Sequence, residues 1–265
     1  MWLHDKQSGK SHPAPIDKVA QSKGYYSPEV EEALRQVEGP ANVVMAKLVN
    51  NEMISSTERM QLTLYVAVAL KRVPYRRRKA LEMFPGVLDN TLKELRAELT
   101  QAAAKIEPPV DDERLRDRLD EIENIFRAKF GDAPPEEVVR QIREPWPTPG
   151  MLEAIYRMTW RVLIAEGPTG FWTTDNPVFF FESDGIATRE AEVSFPLAPT
   201  HALHGCWVLA ASSSFAFWRA PERFVREVNR RLASTTERLA FSDRLEDWMM
   251  PTLQKRNPYL SRFRW

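Results

Sequence analysis

The chain has one cysteine, Cys206, in 265 residues. That excludes an intrachain disulfide and any structural zinc site built on several thiolates, and it fits a reducing compartment. Long apolar runs are missing too, none reaching the roughly 18 residues that span a bilayer. The opening Met1-Trp2-Leu3-His4-Asp5-Lys6 lacks the basic and then apolar layout of a signal peptide. The sequence therefore reads as a cytoplasmic protein without a membrane partner. An excess of charge of one sign is also absent: Lys plus Arg number 37 and Asp plus Glu number 37. Any nucleic-acid surface must then be local. There is no phosphate loop, no Gly-rich dinucleotide turn, no His-Glu-x-x-His and no Gly-x-Ser-x-Gly.

What is present is 43% hydrophobic residues, enough for one large domain or two small ones around a real core. Met1 to His4 and Ile16 to Ala20 read as two weak strands about the turn-forming Lys6-Gln7-Ser8-Gly9-Lys10. Ser27 suits an N-cap, with Pro28 at the first helical position and Glu29, Glu31 and Glu32 against the helix dipole. Gly39-Pro40 interrupts the apolar spacing, so two short helices or one kinked helix fit equally. Gln61 to Leu70 alternates as a strand would, yet it is apolar enough for a buried helix, and the capping-box pattern Ser55-x-x-Glu58 favours helix.

Amphipathic stretches follow at 75–84, 88–106, 111–130 and 135–143. Pro108-Pro109 and Pro134-Pro135 set off the third, which makes 108–145 a helical excursion from a single domain spanning 1–265. One more helix is expected after Pro149, with Leu152, Ile155, Thr159, Val162 and Leu163 on one face. From Gly170 the composition turns β-branched and aromatic, and strands are expected at 171–174, 178–181, 191–195 and 207–211. A last helix carries Phe224, Val228, Leu232, Thr235 and Leu239 along a stripe. The fold class is α+β: predominantly helical, with a small, mostly antiparallel sheet late in the chain that the N-terminal strands can join.

The segment Thr173-Thr174-Asp175-Asn176-Pro177-Val178 runs from an apolar strand into a polar turn locked by proline. It reads as an Asx-type structural turn, or as a strand end presenting Asp175 as metal ligand or general base. A hard cation such as Mg or Mn would need further oxygens, for which Glu38, Glu52 and Glu182 are candidates. His201 and His204 are three apart and, on a strand, face opposite ways. His4 and His12 read as solvated, and Cys206 as a small buried residue rather than a nucleophile. Two basic clusters, 71–79 with Arg76, Arg77 and Arg78, and the terminal Lys255-Arg256 with Arg262-Phe263-Arg264-Trp265, suit phosphate contact plus stacking. They equally suit a solvated helix end and a tail docked on the core.

The Thr-Thr-Asp-Asn-Pro-Val run resembles the strand end of the bacterial domain of unknown function 4238 family. Other stretches agree in order: Leu3-His4-Asp5-Lys6, Tyr25-Tyr26-Ser27, Val37-Glu38-Gly39, Arg72-Val73-Pro74, Ser194-Phe195-Pro196-Leu197-Ala198-Pro199 and Val228-Asn229. The resemblance runs from about residue 1 to 242 and singles out Glu38, Arg72, Asp175, Asn176 and Asn229. Family members carry a His-Tyr-Val-Pro-Gln motif before the first strand, and this chain starts after that point; chemistry resting on that histidine would be missing. Two functions stay open. One is a non-catalytic binding protein with a protein or nucleic-acid partner, in which Asn176, Asn229 and Arg76 to Arg78 take part. The other is a metal-assisted phosphodiesterase or nuclease using Glu38 and Asp175 on the metal and Arg72 on the phosphate.

Overall fold

A computed structural model describes residues 1–15, 26–107, 110–131, 134–181, 185–207, 215–256 and 258–263, with backbone only at 74, 76, 77 and 141–143. The chain gathers into two compact units, Met1–Tyr75 with Pro145–Trp265, and Arg76–Glu144.

In the first unit, strands β1 (Trp2–Asp5) and β2 (Lys10–Pro13) form an antiparallel hairpin. Gly9 takes φ 68° in its turn, where Asp5 Oδ1 accepts the N–H groups of Gln7 and Ser8. The second strand thus follows the turn directly; the stretch expected to form it, 16–20, lies outside the described residues.

Helix α1 (Pro28–Val49) runs through Pro40 as one helix, capped by Ser27. Helix α2 (Ser56–Lys71) has the full reciprocal capping box between Ser55 and Glu58. It buries Leu62, Val66, Val68 and Leu70 together, as a helix wrapped by neighbours does, and that explains the strand-like alternation in its sequence.

The second unit is helical. Helix α3 (Pro74–Ala103) joins the stretches 75–84 and 88–106 through Pro85. Helix α4 (Asp112–Phe130) is capped by Asp111, and α5 is Glu136–Arg143. Arg96 meets Asp120 at 2.7 Å, and Asp89 meets Arg127 at 2.7 Å, so α3 and α4 run antiparallel.

Back in the first unit, α6 (Pro149–Arg157) stops at Met158, and the expected continuation is instead β3 (Thr159–Ala165). Trp160 and Val162 are buried between the half-exposed Thr159 and Arg161, but Leu163 is buried too, so the alternation of the first four residues breaks off and an apolar run follows. There follow β4 (Thr173–Thr174), β5 (Phe179–Phe180), β6 (Glu192–Ala198), β7 (His201–Cys206) and β8 (Ala216–Ala220). The chain continues through α7 (Glu222–Thr235), β9 (Leu239–Ser242) and α8 (Met249–Gln254). The strand expected at 207–211 lies, but for Trp207, outside the described residues. Leu239 belongs to β9 rather than to the stripe of the preceding helix.

Among the described residues one sheet has the order β2-β1-β9-β4 and the other β5-β6-β7-β3-β8. Every pairing is antiparallel except β3 with β8. The fold is therefore α+β and mainly helical, and the N-terminal hairpin joins the first sheet through β1 and β9. Two apolar clusters fill this unit. One lies among α1, α2, α6 and the five-stranded sheet, and the other packs α7 and α8 against Phe171, Trp172 and Phe179. No described helix is long and apolar enough to cross a membrane.

Candidate functional site

The polar residues singled out in the sequence fall into two groups. Asp175, Asn176 and Asn229 each bond backbone where β4, α7 and β9 come together. Asp175 Oδ1 accepts the N–H of Glu237 at 3.1 Å, and Oδ2 accepts those of Arg238 at 2.7 Å and Leu239 at 2.9 Å. Asp175 N–H in turn donates to Leu239 O, which starts the β4–β9 pairing. Asn176 is fully buried and donates from Nδ2 to Thr235 O at 3.3 Å. Asn229 is fully buried on α7; its Oδ1 accepts Trp172 N–H at 3.1 Å and its Nδ2 donates to Gly170 O at 2.8 Å. One amide thus does for the edge at 170–172 what a neighbouring strand would do. Its backbone carbonyl accepts Trp172 Nε1–H as well.

The opening residues converge on the same junction. Asp5 meets Arg238 at 2.9 Å, and Lys6 Nζ donates to Ala233 O and Thr236 O, the open carbonyls ending α7. Burial pushes the Lys6 ammonium below its ordinary pKa while Asp175 pulls it back up. His4, expected to be solvated, is fully buried. It lies between Ser11 Oγ and Ser242 Oγ at 2.8 Å each, and burial lowers its pKa. Ser242 Oγ donates to Arg244 O, so the His4–Ser242 bond needs the proton on His4 Nε2. In that tautomer the imidazole takes no proton from Ser242, and the trio is a structural chain rather than an activated nucleophile.

Glu38 and Arg72 form the second group, an ion pair between α1 and the end of α2 with each side chain about one-third exposed. Both act on the phenol of Tyr65: burial raises its pKa, Arg72 lowers it and Glu38 raises it. Tyr65 stacks at 5.9 Å on Phe195 and lines a cleft of about 660 Å³ in the first unit. Phe171, Trp172, Thr173, Thr174, Phe241 and Asp243 also line it. Thr174 and Pro177 of the Asp-Asn-Pro turn line this cleft, whereas Asp175 and Asn176 are absent from its lining and bond to 235–239. Tyr65 and the cleft were missed from sequence, because most of the cleft's lining, from Phe171 to Asp243, lies more than a hundred positions from Tyr65.

The other candidates are structural in their contacts. Ser194, Glu192 and Arg231 are buried, with Arg231 donating to Glu192 at 2.7 Å, to Ser194 at 3.0 Å and to Ser261 O at 2.6 Å. His201 and His204 are both buried on β7; His201 bonds Thr200 Oγ1, while His204 packs on Phe263 and lies 4.0 Å from Glu192. Burial raises the pKa of the Cys206 thiol, against the pull of Arg161 at 3.5 Å, which suits an inert cysteine. Arg78 pairs with Glu82 at 3.4 Å; the side chains of Arg76 and Arg77 lie outside the description. At the chain end Phe263 is buried and Arg262 bonds Glu190 O, so this tail docks on the core; Arg264, Trp265 and Glu182 lie outside the described residues. Among the described residues no group of three or more His, Cys, Asp or Glu side chains is placed to hold a metal ion.

Fold and junction together define an α+β protein whose scattered polar motifs close one joint around α7 and β9. Residues 1–246 match the family described as Protein of unknown function (DUF4238), and the chain belongs to that family. No curated protein and no solved structure matches it.

Proposed function

We propose that this chain is a non-catalytic binding protein and that its cleft of about 660 Å³ receives an apolar segment of a protein partner. The observation carrying this reading is a division of labour. Asp175 spends both carboxylate oxygens on backbone N–H groups, Asn229 spends both ends of its amide likewise, and Glu38 is held by Arg72. The aromatic, proline and methionine lining of the cleft is what remains for a partner. Such surfaces anchor aromatic and aliphatic side chains. Of the two partner classes open from sequence, the cleft favours protein: its lining includes Asp243 and no Lys or Arg among the described residues, so it offers a phosphate backbone no countercharge.

The alternative, a metal-assisted phosphodiesterase, requires Asp175 and Glu38 to exchange part of their present bonding for Mg or Mn, since Asp175 already accepts three backbone N–H groups and Glu38 is paired with Arg72. Hydrogen bonds to charged groups contribute about 1.5–3 kcal/mol each, and every one given up counts against the metal.

Filling the cleft tests the reading. Nile red should fluoresce on binding wild type and lose that response in Ala198→Trp, with the thermal melt unchanged. Peptides selected from a display library against wild type should carry Trp, Phe or Leu anchors and fail to bind Ala198→Trp. Peptides that bind both proteins equally, or a dye response indifferent to the filled cleft, would overturn it.

A further inference from the structure

A second concavity lies on the opposite chemistry to the apolar cleft. It is an open groove of about 540 Å³ along α7 and the docked chain end, and four arginines line it: Arg223, Arg226, Arg230 and Arg262. In a chain with 37 cations and 37 anions this is a local excess. The one carboxylate in the lining, Glu227, is already neutralised. Its Oε1 accepts Ser261 N–H at 2.7 Å and lies 3.6 Å from the buried Arg231, and its Oε2 is held by Arg230. Arg226 shares Glu222 through Nε at 2.9 Å and Nη2 at 2.6 Å. A guanidinium carries five N–H donors, so neither pairing exhausts its arginine. Arg223 sits over the Phe224 ring at 5.1 Å and has no acidic partner among the described residues. Two aromatic rings complete the lining: Phe224 meets Phe263 edge-on at 4.8 Å and Trp218 edge-on at 4.7 Å, which fixes its orientation.

We infer that this groove binds a nucleotide, with the phosphates on Arg223, Arg226, Arg230 and Arg262 and the base against Phe224. Arginine forks match phosphate oxygens in pairs, which lysine does not do, and all four cations here are arginines. The aromatic rings beside them supply a surface for a flat base. The volume falls within the range of about 300–1,000 Å³ typical of small-molecule sites, which suits one nucleotide rather than a length of strand. Helical spacing accounts for the cluster: positions 223, 226 and 230 recur at three and four along α7, opposite the buried Val225, Val228 and Leu232.

The test is calorimetric titration of the full chain with ADP, inorganic phosphate and an oligothymidylate. ADP should bind, more tightly than phosphate alone and at least as tightly as the oligonucleotide. The double variant Arg226→Gln plus Arg230→Gln should weaken ADP by about tenfold or more with its melt preserved. Arg219→Gln, at a side chain 83% exposed and outside the groove lining, should leave ADP binding unchanged, and so should the cleft-filling Ala198→Trp. ADP binding that is absent, that persists in the double variant or that falls in Ala198→Trp would overturn the assignment. So would an oligonucleotide that binds where ADP does not.

Discussion

Replacing Asn229 by alanine tests the claim that the polar side chains at 175, 176 and 229 hold backbone together around α7. The side chain is fully buried and holds two backbone groups of the chain at 170–172: the N–H of Trp172 at 3.1 Å and the carbonyl of Gly170 at 2.8 Å. Alanine leaves both without a partner, and the packed surroundings of Phe171, Trp172 and Val228 leave little room for water to replace it. An orphaned buried donor or acceptor costs about 1–3 kcal/mol, so the pair should cost about 2–6 kcal/mol. Against a typical total of about 5–15 kcal/mol this is a large loss. Urea unfolding followed by tryptophan fluorescence reads it, since Trp172 is itself buried; the midpoint should fall with the slope unchanged. Asn229→Asp keeps the acceptor for Trp172 but sets a carboxylate oxygen against the Gly170 carbonyl, so it should be no better than alanine. A loss below about 1 kcal/mol in Asn229→Ala would refute the strand-substitute role.

Arg231→Met should lower stability by about 3–5 kcal/mol, because it leaves the buried Glu192 without its cation, whereas Glu227 keeps Arg230; an equilibrium unfolding curve measures this. Gly205→Ala should cost about 1–3 kcal/mol in the same assay, since a Cβ there would stand 2.9 Å from the Trp160 ring. Acid should destabilise the protein before carboxylates titrate. Burial lowers the pKa values of His4, His201 and His204 below 6.5, so as pH falls through 6.5 the unfolded chain takes up protons that the folded chain refuses. Stability is then present above pH 6.5 and lost progressively below it, and a urea midpoint that is flat from about pH 7.5 to 5 would contradict this.

Where a signal was local, the sequence carried it. The Ser27-Pro28 start of α1 and the Ser55/Glu58 box of α2 are side chains bonding backbone within a turn, and both are found as read. The reading of β3 as helix failed because Ile155, Val162 and Leu163 are all fully buried, so their spacing fits a helix face and a doubly buried strand alike. His4 failed for a related reason: its burial is completed by two hydroxyls, one across the hairpin at Ser11 and the other at Ser242, near the far end of the chain. The resemblance singled out Glu38, Arg72, Asp175, Asn176 and Asn229 together; Glu38 pairs with Arg72, while Asp175, Asn176 and Asn229 bond backbone at 170–172 and 235–239. No periodicity encodes a contact of that kind. The cleft was illegible for the same reason, its lining coming from residues 1, 45, 65, 171–174, 177, 195–199 and 241–243. The arginine groove differs: three of its four arginines stand at helical spacing on α7, a local signal, and only the docking of 261–263 beside them is long-range.

The most direct test of the account is Mg²⁺ and Mn²⁺ titration of wild type and Asp175→Asn, reading thermal stability and cleavage of single- and double-stranded nucleic acid together. The account predicts no metal-dependent stabilisation and no cleavage in either protein. It also predicts a variant less stable by about 1–2 kcal/mol, because the N–H groups of 237–239 lose a charged acceptor. Metal-dependent stabilisation with cleavage, both abolished in Asp175→Asn, would contradict it and make Asp175 a metal ligand in a hydrolase.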